Sequence, residues 1–174
     1  MLWPKEVPRI YLLISGVWEI RVGHSKIFDL AWDDRLVLVD KSSPNHNETQ
    51  VSCNIIQSSS YVELSIQTLL VNGDKSSIDN FRDFISWRFN YFYRRWLHLC
   101  LNDSYREVRY SLEWLASTPT KIRMAISAIY FVTNTSKVSR SHALSIIKAL
   151  RIGGYVEMKE GYLIRLLKAL PERY

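Results

Sequence analysis

The chain has 174 residues, 47% apolar and 23% charged, which suits one ordinary folded domain or two small ones and excludes a disordered chain. Its longest apolar runs, such as residues 125–132, fall far short of the roughly 20 residues that span a bilayer. The start lacks the basic leader and long apolar run of an export signal, so a cytoplasmic protein with no membrane partner is expected. The net charge of +6 is uneven: −2 over residues 1–76, +1 over 77–103 and +7 over 104–174. That asymmetry is what a nucleic-acid-binding module on a neutral or acidic companion presents.

From Arg9 to Ile66 the segments RIYLLI, GVWEIRV, KIFDLAW, DRLVLVD, VSCNII and YVELSI are rich in branched and aromatic residues. Turn formers separate them, namely Gly16, Gly23-His24-Ser25, Asp33-Asp34 and the loop KSSPNHNET. Short strands at near-regular spacing predict a small antiparallel sandwich or barrel, a β-rich domain over residues 1–76. Asp74, Ser76 and Ser77 then offer N-caps to a helix from about Ser77 to Leu101 that contains neither Pro nor Gly. At 1.5 Å per residue it would reach roughly 37 Å. Along it Ile78, Phe81, Ile85, Phe92, Trp96 and Leu99 recur at threes, fours and one seven, a coiled-coil-like stripe expected to meet a second copy over residues 77–102. A helix buried within one subunit is the alternative, with Phe84, Trp87, Tyr91 and Leu97 on its other faces.

Residues 103–174 read as helices broken by polar turns: Tyr105 to Ala116, Thr120 to Val132, and Ser139 to about Ile152, stopped by Gly153-Gly154. Two short strands follow around Lys159-Glu160-Gly161, and helix, turn, helix, hairpin is a winged helix. In the third helix Val138, Ala143, Leu144, Ile147 and Leu150 are expected to face the core, leaving Arg140, Ser141, Ser145, Lys148 and Arg151 outside, with Ser139 as the N-cap. A helix whose first turn bears polar residues can enter the major groove N-terminus first. There Arg140 can donate two hydrogen bonds to guanine, Ser141 and Ser145 can meet bases or phosphates, and Lys137, Lys148 and Lys159 can hold phosphates. The plainer alternative is a capped helix with a solvated face. His24, His46, His98 and His142 lack metal-ligand spacing, no phosphate loop or nucleophile elbow occurs, and Cys53 and Cys100 read as buried fillers. Neither an enzyme nor a bound cofactor or metal is expected.

The stretch VSRSHALSIIKALRIGGYVEMKEGYLI resembles the recognition helix and wing of the cyclic-AMP-receptor/FNR superfamily of bacterial transcription factors. The closing LPERY further resembles its enterobacterial IprA-type (YaiV-like) branch. The resemblance implies an α+β chain: a short, degenerate jelly-roll-like domain, a long dimerisation helix and a C-terminal winged helix-turn-helix. It implies a homodimer on a two-fold operator in double-stranded DNA, with RNA polymerase as a further partner. Arg140 corresponds to the arginine that opens the family's recognition helix and Ser139 to its cap, whereas Ser141 and Ser145 replace a glutamate and an arginine that read bases. The phosphate-binding Gly-Glu and Arg run of the family's cyclic-nucleotide pocket has no counterpart between Met1 and Ser76, and two cysteines cannot supply a four-cysteine iron–sulfur site. Control by those ligands is therefore not expected. The alternative function is a winged helix that docks on another transcription factor or on polymerase.

Overall fold

The computed structural model describes residues 9–22, 26–32, 35–39, 51–65, 71, 73–100 and 103–173. Its elements are β1 (Arg9–Val22), β2 (Lys26–Trp32), β3 (Arg35–Val39), β4 (Val51–Leu64), α1 (Lys75–Cys100), α2 (Ser104–Ala116), α3 (Thr120–Arg123), α4 (Ala128–Thr135), α5 (Arg140–Ile152), β5 (Val156–Lys159) and β6 (Tyr162–Leu166). The chain divides into two compact units, Met1–Tyr91 and Phe92–Tyr174.

In the first unit β1 is the spine of a four-stranded antiparallel sheet. It pairs with β4 from Ile10↔Leu64 to Val22↔Val51. It also pairs with β2 through Val17–Val22 and with β3 through Arg9–Leu13, so those two strands follow one another along β1 in the same direction. The chain therefore does not reverse between β2 and β3. Asp33-Asp34, Gly23-His24-Ser25, the KSSPNHNET loop and Ile66 lie outside the described residues.

Two strands run longer than the turn residues suggest. Gly16 does not separate two strands but sits inside β1 at φ +105°, and residues 57–60 do not separate VSCNII from YVELSI but continue β4. The register between β1 and β4 shifts on both sides of Gly16, the mark of a bulge. One consequence is a change of parity. Tyr11 and Leu13 face the packed cluster before the bulge, and Trp18 and Ile20 face it afterwards, together with Ala31, Val37 and Cys53. Only glycine fits the bulge, because a Cβ there would lie 2.5 Å from Ser59 Cβ and 2.8 Å from the Ser58 carbonyl oxygen. Trp18 is locked by an Nε1–H bond to Ser59 Oγ at 2.7 Å and by edge contacts with Tyr11 and Tyr61. On the opposite face the buried Glu19 carboxylate accepts from Arg21 at 2.7 Å and from Asn54 at 3.2 Å, which satisfies a charge that burial would otherwise penalise.

Helix α1 runs unbroken for 26 residues, and Asp74 precedes it with its carbonyl accepting from the Ile78 N–H. Ser76 and Ser77, expected as caps, fall inside its first turn.

In the second unit α2, α4 and α5 enclose a core of Val108, Leu112, Leu115, Phe131, Val132, Ala143, Ile146 and Leu150, with Leu163 from the hairpin. The helix expected from Thr120 to Val132 is two helices. The break falls at Ser127, which leaves helical geometry at ψ 141° and caps α4 by accepting from the Tyr130 N–H. The apolar run around Ser127 hides this cap, since a lone serine is also found in helix interiors.

Candidate nucleic-acid interface

Helix α5 is entered through a short turn held by several hydrogen bonds. Ser136 ends α4, its N–H and Oγ–H both donating to the Val132 carbonyl, and its Oγ accepts from the Val138 N–H. The buried Glu107 carboxylate of α2 accepts the Lys137 N–H at 2.7 Å, while Ser111 of α2 meets Thr135 of α4 hydroxyl to hydroxyl at 3.0 Å. These bonds tie the turn to α2 and fix the direction in which α5 leaves it. Val138 is buried in the turn as expected.

Ser139 is the N-cap, its hydroxyl accepting from the His142 N–H and paired with Ser141 Oγ at 3.3 Å. Its oxygen is thus spent mainly on the helix. Arg140, Ser141, Ser145, Lys148 and Arg151 are exposed, as are Lys137 before the helix and Lys159 on the hairpin. The buried face is Ala143, Ile146, Ile147 and Leu150. Leu144, expected in the core, is instead 47% exposed. The inward row follows 143, 146, 147, 150, and position 144 lies about 100° from its small neighbour Ala143. The sequence signal for the right choice was Ile146, which completes that i, i+3, i+4, i+7 set.

The helix ends in a Schellman motif. The Tyr155 N–H donates to the Leu150 carbonyl and the Gly154 N–H to the Arg151 carbonyl. The left-handed residue is Gly154, at φ +66°, whereas Gly153 keeps a right-handed φ of −70°. Gly153 is needed for room, because a Cβ there would lie 2.8 Å from the Tyr155 ring. The hairpin turn is Glu160-Gly161, both at positive φ between the paired Lys159 and Tyr162, which is the type I′ geometry that matches strand twist. Its Gly161 carbonyl accepts the N–H of Ala128, the first residue of α4. The tail is also held: Leu170 is buried, and the Pro171 carbonyl accepts from Tyr105 Oη at 2.8 Å and from Arg109 at 3.2 Å. Burial pushes the Tyr105 hydroxyl above its ordinary range, keeping it a donor.

On α1, Ile78 and Ile85 are exposed, Phe81 and Phe92 are half-buried and Trp96 is 59% exposed. The side chain of Leu99 lies outside those described, as do those of Trp87, Tyr91 and His98. Phe89, absent from the expected stripe, is 68% exposed and stands one heptad before Trp96. Its signal was the offset of four from Ile85, which completes two interleaved rows of period seven. Cys100 is exposed, contrary to expectation, while burial pushes the half-buried Cys53 thiol to about 11 and so keeps it protonated. No cluster of three metal-ligating side chains occurs among the described residues, and no described helix is long and apolar enough to cross a membrane.

Residues 104–172 match the family described as winged helix-turn-helix DNA binding. The fold is that of the CRP/FNR-like regulators. FixK2 from Bradyrhizobium japonicum superposes with a TM-score of 0.73 at 10% identity, over 93% of this chain and 84% of that one. A CRP/FNR-family transcriptional regulator from Thermus thermophilus gives 0.66 at 14% identity, over 92% and 84%. Among curated proteins, the inhibitor of hydrogen peroxide resistance of Escherichia coli K12 is 28% identical over 90 residues, 52% of this chain and 43% of that protein. Its Salmonella typhimurium counterpart is 31% identical over the same shares. The match thus spans less than half the length of these relatives.

Proposed function

We propose that the chain is a transcription regulator that binds double-stranded DNA as a homodimer on a two-fold operator, with no catalytic step. The carrying observation is the exit of α5 from a turn hydrogen-bonded to α2, with Arg140, Ser141, Ser145 and Lys148 on its exposed side. Arg140 reads a base edge, Ser141 and Ser145 contact bases or phosphates, and Lys137, Lys148 and Lys159 anchor the backbone. Ser139 acts as the cap that orients them. The +7 charge of residues 104–174 supports a polyanionic partner.

The dimer seam is α1, through Ile78, Phe81, Ile85, Phe92, Trp96 and Leu99 with Phe89 added. The large exposure of Phe89 and Trp96 supports this reading, because two bulky rings a heptad apart suit the facing helix of a second copy. Neither a cyclic nucleotide nor an iron–sulfur cluster controls it. The activity named for the curated relatives, inhibition of hydrogen peroxide resistance, is a candidate output of the same regulator.

Sedimentation of the full chain should give a dimer that Phe89→Glu with Trp96→Glu converts to monomer. Selection from random duplexes should enrich an inverted repeat with half-sites about one helical turn apart. An unchanged dimer in the double variant would remove α1 from the seam. Weak, sequence-blind DNA affinity would favour docking of the winged helix on another transcription factor or on RNA polymerase.

A further inference from the structure

We infer that Leu144 reads thymine, by packing its side chain against the C5-methyl group of a base in the major groove. This rests on the DNA-binding reading above and names the kind of base that the helix selects. Leu144 is 47% exposed, although the core row of α5 is complete without it in Ala143, Ile146, Ile147 and Leu150. Along the helix it stands one turn after Arg140 and one turn before Lys148, both exposed, so the three form a row of cation, apolar group, cation. An apolar protein groove would have to desolvate both flanking charges to cover that leucine. A polyanion solves the problem, since its phosphates meet the cations while the groove floor offers the one apolar group on a base edge, the thymine methyl.

The neighbours strengthen the assignment. Ser141 and Ser145, on the adjoining row, carry side chains of a single hydroxyl, and Ser141 Oγ is already paired with Ser139 Oγ at 3.3 Å. Leu144 extends further from the helix axis than either. The longest of these three side chains is therefore apolar, with Arg140 and the exposed His142 left as the longer polar groups of the first turn. Ile152 is more exposed, at 77%, but it is the last residue of α5, at the end that leaves the groove when the N-terminus enters first.

The full chain is used to select its preferred site from random duplexes, and each thymine of a half-site is then replaced by deoxyuridine, which lacks only the methyl. One position should weaken wild-type binding about fourfold per half-site, the factor expected for one buried methyl-sized group. Leu144→Ala should bind the thymine and deoxyuridine duplexes alike. Ile152→Ala should keep the full wild-type difference, which separates the methyl contact from a general loss of apolar surface. Comparing two duplexes within one variant cancels any change in its stability. Tight specific binding with no deoxyuridine effect, or an undiminished effect in Leu144→Ala, overturns the inference while leaving DNA binding intact. No binding to any duplex overturns the DNA reading itself. An altered association state of Leu144→Ala with unchanged DNA affinity would assign the leucine to a protein partner and overturn the inference also.

Discussion

Arg140 and Lys148 stand two turns apart on one exposed row, and their chemistry separates their roles. A guanidinium can grip guanine O6 and N7 together, so Arg140→Ala should cost about 1–3 kcal/mol on the selected site and much less on random DNA. Lysine is a point charge on a flexible stem. Lys148→Ala or Lys159→Ala should weaken both duplexes alike and lower the salt slope by about one. Titration at several salt concentrations checks both, and equal losses on the two duplexes for Arg140→Ala would remove it from base readout. Behind this row sits Glu107, whose buried carboxylate holds the Lys137 N–H at 2.7 Å. Glu107→Ala should lower stability by about 2 kcal/mol, the worth of a hydrogen bond to a charged group, with a smaller loss in Glu107→Gln, which keeps an acceptor oxygen. Urea unfolding measures the difference. Under the proposed function the specific affinity of Glu107→Ala should fall as well, because the carboxylate holds the turn from which α5 leaves.

At the scale of elements, glycines with different constraints give a ranked test. Gly154 is at φ +66°, and a Cβ added there would meet nothing within 4 Å, so Gly154→Ala should cost only the left-handed strain, about 1–2 kcal/mol. Gly16 combines φ +105° with a site where an added Cβ would come within 2.5–2.8 Å of the Ser58-Ser59 backbone and side chain, so Gly16→Ala should cost about 3 kcal/mol or more. Urea midpoints that reversed this order would contradict the bulge. The same positions mark what was legible in the sequence. The third helix of the winged unit, its Ser139 cap, its glycine stop and its Glu160-Gly161 turn follow from local rules, and they hold to within a residue. The rest depended on distant partners. Gly16 resembles a strand break until β4 is laid beside it, and Ser127 resembles a helix interior until the Ala128 amide is satisfied by the hairpin. Leu144 looked like core because its spacing to Ile147 is helical, although Ala143 with Ile146 forms the better row.

For the molecule as a whole, the uneven charge predicts that DNA affinity falls steeply with salt, since residues 104–174 hold 12 of the 23 cationic side chains. The proposed absence of cyclic-nucleotide control predicts that calorimetry with cyclic AMP detects no micromolar binding, since the sequence between Met1 and Ser76 has no counterpart of the Gly-Glu and Arg run that holds a cyclic phosphate. Measurable heat would reverse that conclusion. The bond from the Ala128 N–H to the Gly161 carbonyl bears on kinetics. An amide at the first position of a helix normally has no intrahelical acceptor, and here the hairpin turn supplies one. That bond joins the hairpin turn to the start of α4. Under the proposed DNA-binding function, a wing held in this way predicts an association rate set by charge-guided diffusion and orientation, with stopped-flow titration at several salt concentrations as the check.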